Sequence, residues 1–196
     1  TEQIPQAEPI MQRADVLQAL GSEFQGIVVT SVDAVFERVP SPESIERESV
    51  TLTAGEHHEP EHLIEWLVDH EFERVEFVEH PGEVALRGGI LDVFPFTGAY
   101  PIRIDFFGDE IEAIREFDPE SQRSVSSRKS ARIVPDLDEI ASIEERTCSL
   151  FRYLPENTWM ASFDSTRLPE RANDLFEQVE EAYVEYTVDE GDEPLP

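Results

Sequence analysis

The chain has 196 residues, room for one ordinary domain or two small ones, and its 39% hydrophobic share with 12 Phe can furnish a core. A formal net charge of −29 excludes non-specific binding to nucleic-acid backbones, because phosphates repel so acidic a chain. No apolar run approaches membrane-spanning length and no signal-peptide pattern opens the chain, so a cytoplasmic location is expected, which the lone Cys148 also fits. The first residue is Thr1, and the chain is expected to be a piece of a longer protein. Its carboxylates are scattered through every segment and Lys129 is the single lysine beside fourteen arginines, a pattern that fits adaptation to high salt better than an acidic mimic of DNA, which would gather them in one tract.

In chain order, Pro9 opens a helix with Ile10, Met11, Ala14, Leu17 and Leu20 on one face, stopped by Gly21. Gly26–Thr30 is a continuous apolar run of the kind found in a buried parallel strand, and Ser31 caps a short helix carrying Val32, Val35 and Phe36. After Pro42 the pattern changes. Val50–Leu52 alternates like a strand, and Pro60 starts a helix with Leu63, Ile64, Leu67 and Val68 on its apolar side. Val75–Glu79, Glu83–Arg87, Ile90–Phe94, Ile102–Phe107 and Glu110–Phe117 read as strands, separated by Pro81-Gly82, Gly88-Gly89 and Gly108-Asp109 turns. Beyond Asp118, Ala131–Val134 is a strand, Ser142–Leu154 a helix, Trp159–Phe163 a buried strand and Pro169–Tyr186 a helix. The fold class is therefore α/β plus α+β. A small mixed or antiparallel module over 49–118 is inserted in an α/β domain built from 1–48 and 119–189, with a flexible tail at 190–196.

Catalytic patterns are few. No Gly-x-x-x-x-Gly-Lys-Ser/Thr phosphate loop and no Gly-x-Ser-x-Gly elbow occurs in the chain. His58 and His62 have helical metal-pair spacing, with His57 and three glutamates nearby, but Pro60 lies between them, and no metal site is assigned. Alternation along Ile102–Phe107 places Arg103, Asp105 and Phe107 on one face and Ile102, Ile104 and Phe106 on the other. With the isoleucines packed on the module's helix, Arg103 and Phe107 would be exposed together. That composition fits either a protein-docking patch or a salt-bridged, solvated strand face.

The run Pro81–Pro95, continued by Pro101–Glu112, resembles the module shared by the transcription-repair coupling factor (Mfd) family and UvrB. Ile114–Asp118 and Ser121–Ser124 are more similar to the coupling factors. The resemblance implies UvrA as partner, contacted through Arg87, Arg103 and Phe107. It also implies a parent protein that binds RNA polymerase and double-stranded DNA through other domains, and a C-terminal domain of that parent masking the UvrA face. The flanking domain resembles a helicase-like, P-loop-type fold. Where UvrB has an Asp-Glu pair after the strand matching Trp159–Phe163, this chain has Asp164 and Ser165. The resemblance thus implies a non-catalytic fragment with a degenerate nucleotide site and no cofactor of its own, ATP being bound elsewhere in the parent. A fragment of a UvrB-like damage-recognition protein is the alternative.

Overall fold

A computed structural model describes residues 7–21, 24–163 and 167–190. Asp164, Ser165 and most of the segment 190–196 lie outside the described residues. In chain order the elements begin with α1 (Ala7–Leu20), α2 (Val32–Phe36), β1 (Arg38–Pro40), α3 (Pro42–Arg47), β2 (Val50–Thr53) and α4 (Pro60–Asp69). Next come β3 (Glu73–Arg74), β4 (Glu83–Arg87), β5 (Ile90–Val93), β6 (Ile102–Phe107), β7 (Glu110–Phe117), β8 (Ser124–Arg128) and β9 (Ser130–Ile133). α5 (Leu137–Ala141), β10 (Thr147–Ser149) and α6 (Arg167–Glu190) follow, with short 3-10 turns at Glu144–Arg146 and Leu150–Tyr153. The architecture is mixed α/β, and it divides into two compact units.

The first unit holds Val39–Cys148 together with the N-terminal segment through Phe24. Its centre is a six-stranded sheet in the order β3-β4-β5-β6-β7-β8, antiparallel except for the short β3–β4 pair. The alternating sequences of β4 to β7 explain its two unlike faces. One face buries Val84, Leu91, Ile104, Ile111 and Ile114 against Leu63, Ile64 and Leu67 of α4, and against Leu52 and Ile133 of the separate β2–β9 pair. Pro60 sits in the first turn of α4, where its missing N–H is not needed. The opposite face holds a smaller cluster of Val78, Ala85, Phe94 and Phe117. Gly88 has φ +59, and a Cβ on Gly89 would meet the Phe106 carbonyl oxygen at 2.7 Å, so the β4–β5 turn needs both glycines.

Several expected elements take another form. Val75–Glu79 is not a strand: only Glu73–Arg74 pairs, and the residues after it form a loop that buries Val78 while Phe77 stands out. Val68 of α4 is exposed, since the apolar stripe needed on the sheet is already filled by Leu63, Ile64 and Leu67. Ser142–Leu154 is not one helix but a 3-10 turn, a short strand and a second 3-10 turn. Its middle is held by tertiary pairing, because β10 forms a two-stranded sheet with β1, and the Ser41 N–H donates to the Arg146 carbonyl at 2.8 Å. In α1, Ala14, Leu17 and Leu20 form the buried stripe as the spacing predicts.

The second unit comprises Gln25–Arg38 and Ser149–Pro196. Ser31 caps α2 by accepting the Ala34 N–H at 3.3 Å, and Asp33 is ion-paired with Arg171 of α6. Gly26–Thr30 and Trp159–Phe163 are irregular and exposed, not buried strands: Ile27 is 90% and Trp159 97% accessible. Neither segment finds a hydrogen-bonded strand beside it among the described residues, and an apolar run without a ladder partner cannot form a buried strand. α6 forms over Arg167–Glu190, with Phe176 exposed instead of covered.

Candidate protein-docking face

The smaller-cluster face of the six-stranded sheet carries a row of charged side chains. The two-residue Gly-Gly turn sets the register Arg87↔Ile90, Ala85↔Asp92, which places Asp92 on the same face as Arg87. The next pairing, Asp92↔Arg103, sets that carboxylate directly against an arginine of β6. Asp92 is 1% exposed. Its Oδ1 accepts from Arg103 Nε at 2.7 Å, and its Oδ2 accepts from Arg103 Nη2 at 2.8 Å and Arg87 Nη2 at 2.5 Å. A buried carboxylate demands such cationic partners, because desolvation would otherwise make its charge too costly.

Each arginine is held further by an aromatic ring and an oxygen. Arg87 Nη1 donates to the Glu76 carbonyl at 2.7 Å, and its guanidinium lies 5.0 Å from the centroid of Phe77. Arg103 Nη2 donates to Gln122 Oε1 at 2.9 Å, and its guanidinium stacks over Phe117. The hydrogen bond to Asp92, with its charge, raises the Arg103 pKa, so this group stays cationic at every practical pH. Opposite Arg103, Arg115 of β7 pairs with Asp105 instead. Three guanidiniums thus face two carboxylates, leaving one positive charge in excess on a chain of net charge −29.

Phe107 ends the row. It is the last residue of β6, beyond a register shift at Asp105/Phe106 and beside the tight Gly108-Asp109 turn, and it is 74% exposed. Phe106, its neighbour, is buried on the other face. Phe77 and the partly exposed Ile90 add apolar surface to the same side.

The structure brings Arg87, Arg103 and Phe107 to one face, but only Phe107 is freely exposed. The side chains of Arg103 and Arg87 are 16% and 32% accessible, correcting the expectation that Arg103 is as open as Phe107. The arginines are salt-bridged, as on a paired strand face, and the phenylalanine is bare. Strand alternation alone does not single out Asp92, Gln122 or Phe77. The hairpin register would have revealed Asp92, whereas Gln122 reaches Arg103 through a loop conformation that no spacing announces. The histidines do not converge: His57 Nδ1 lies 3.2 Å from Asp109, His58 Nε2 lies 3.6 Å from Glu56, and no metal-ligating group of three forms among the described residues.

A family model described as the UvrB interaction domain matches residues 50–138. This segment is similar to the UvrB interaction domain. The match takes in α4, the whole six-stranded sheet and the β2–β9 pair, so the entire candidate face lies within the matched segment. Two curated relatives agree. The transcription-repair-coupling factor of Bacillus subtilis (strain 168) is 36% identical over 135 residues, 69% of this chain and 12% of the relative. That of Staphylococcus aureus (strain bovine RF122 / ET3-1) is 32% identical over 169 residues, 85% of this chain and 14% of the relative. The chain therefore spans about one-eighth of the length of the relatives it matches, and it is related to the coupling factors over most of its own length. Among the described residues, no helix is long and apolar enough to cross a membrane.

Proposed function

We propose that this chain is a non-catalytic part of a transcription-repair coupling factor that recruits UvrA through the face of Arg87, Arg103 and Phe107. The observation that carries the reading is the bare Phe107 beside a cationic row within the segment that matches the UvrB interaction domain, on a chain of net charge −29. Exposed aromatic and arginine side chains are the composition of an interface hot spot. Acceptors on UvrA would take the guanidinium N–H groups not used within the chain, while the ring enters an apolar notch.

In this reading the flanking segments are a retired helicase-like scaffold, and ATP turnover, RNA polymerase and duplex DNA belong to other parts of the parent. A distant domain of that parent masks the face until it is needed. The coupling-factor relatives favour this over a UvrB-like damage-recognition fragment. Titration calorimetry with UvrA tests it. Arg103→Ala and Phe107→Ala should each weaken binding by about 2 kcal/mol, a hot-spot loss. Wild-type affinity in both variants would rule the face out.

A further inference from the structure

Arg103 is restrained from two sides before any partner arrives. Asp92, on the neighbouring strand β5, is buried and grips both its Nε and Nη2, and also holds Arg87. Gln122, in the loop between β7 and β8, takes a second hydrogen bond from Nη2 through Oε1. Its Nε2 donates to the Pro119 carbonyl at 2.8 Å, and its backbone N–H to the Asp118 carbonyl at 2.8 Å. The backbone of Gln122 has φ +58, the left-handed region that favours glycine. The side chain of a glutamine there makes hydrogen bonds that glycine could not.

We infer that Asp92 and Gln122 are positioning residues for recognition: together they preset the two guanidiniums, so that Arg103 presents Nη1 to an acceptor on the partner. Arg103 Nη1 makes no hydrogen bond among the described residues, while Nε and Nη2 are engaged. A long side chain already held in one geometry loses less conformational freedom on docking, which strengthens binding without adding a contact. The inference rests on the UvrA-docking reading and adds the residues that act through Arg103.

The test is titration calorimetry of the 196-residue chain with UvrA, alongside thermal melting. Gln122→Gly and Asp92→Asn are made in the wild-type and Arg103→Lys backgrounds. Gln122→Gly should weaken affinity roughly threefold to tenfold while leaving the melting temperature unchanged or higher, because glycine suits that backbone. Opposite movement of binding and stability is not what a merely structural residue gives. Asp92→Asn should cost about tenfold in affinity and also lower the melting temperature. Both losses should shrink in the Arg103→Lys background, where the fork they hold is absent. Unchanged affinity in folded Gln122→Gly protein, or losses of full size in the Arg103→Lys background, would overturn the inference and leave the docking reading intact. Should Asp92→Asn not fold, Gln122→Gly decides alone. If the wild-type chain does not bind UvrA, or if Arg103→Ala and Phe107→Ala bind like wild type, the docking reading falls and this inference with it.

Discussion

The Arg103 guanidinium lies 4.3 Å from the centroid of the Phe117 ring, so the central cation of the candidate face rests on a fully buried aromatic side chain. The ring serves two layers at once. Its edges fill the cluster with Val78, Ala85 and Phe94, and its π face supports the charge above it. Phe117→Leu keeps an apolar filler but removes the support. Loss of about 1–3 kcal/mol in urea unfolding is expected, together with weaker UvrA binding. Unaltered stability would show that the stacking contributes nothing.

Burial separates residues that hold the fold from residues that meet a partner. Leu67 is 0% exposed between α4 and the sheet, so Leu67→Ala should cost about 2–5 kcal/mol in stability. Phe107→Ala, at a position 74% exposed, should stay within about 0.5 kcal/mol of wild type in the same unfolding experiment. Parallel losses in the two variants would mean that Phe107 packs within the chain.

The Asp118–Arg123 loop that carries Gln122 is expected to respond to acid. Asp118 accepts from both the Oγ and the backbone N–H of Ser121 at 2.7 Å, and these bonds hold its pKa below the ordinary value of 3.8. A carboxylate with a depressed folded pKa stabilises the fold above its unfolded pKa, and that contribution is lost as the pH falls through the folded value. Stability should therefore decline as the pH drops below 3.8, and Asp118→Asn should make the acid limb shallower. A pH series of thermal melts compares the two proteins, and coincident acid limbs would remove Asp118 from the account.

Salt should act on the whole chain in the opposite sense to its effect on most surface ion pairs. With a net charge of −29, mutual repulsion weighs against the compact state, and screening relieves it. Melting temperature is expected to rise from dilute buffer to molar potassium chloride. A flat or falling curve would dismiss the adaptation to high salt read from the scattered carboxylates.

Much of the first unit was legible because its signals are local. Gly88-Gly89 and Gly108-Asp109 mark turns whose flanking strands alternate cleanly, and Pro60 marks the start of α4. The same alternation separated Phe107 from Phe106. Failures occurred where the outcome depends on a distant partner. Val75–Glu79 has strand composition, yet only Glu73 and Arg74 find a neighbouring strand, while Val78 turns into the smaller cluster. Thr147-Cys148 lies inside a run with helical spacing, but β1 recruits it into a ladder. At the docking face, residue identities gave the cations and the ring, and the in-register carboxylate of Asp92 decided how exposed the cations are.

Pairing Arg87 and Arg103 with Asp92, and Arg115 with Asp105, has a kinetic consequence. The row keeps a single positive charge in excess, and beyond a screening distance of about 8 Å in physiological salt the field of the acidic chain around it outweighs that charge. Encounter is then unguided, with an association rate constant on the order of 10^5 to 10^6 M−1 s−1, typical of unsteered protein pairs. If the proposed docking holds, the lifetime of the complex sets its strength, and for an acidic partner the rate of capture increases as ions damp the mutual repulsion.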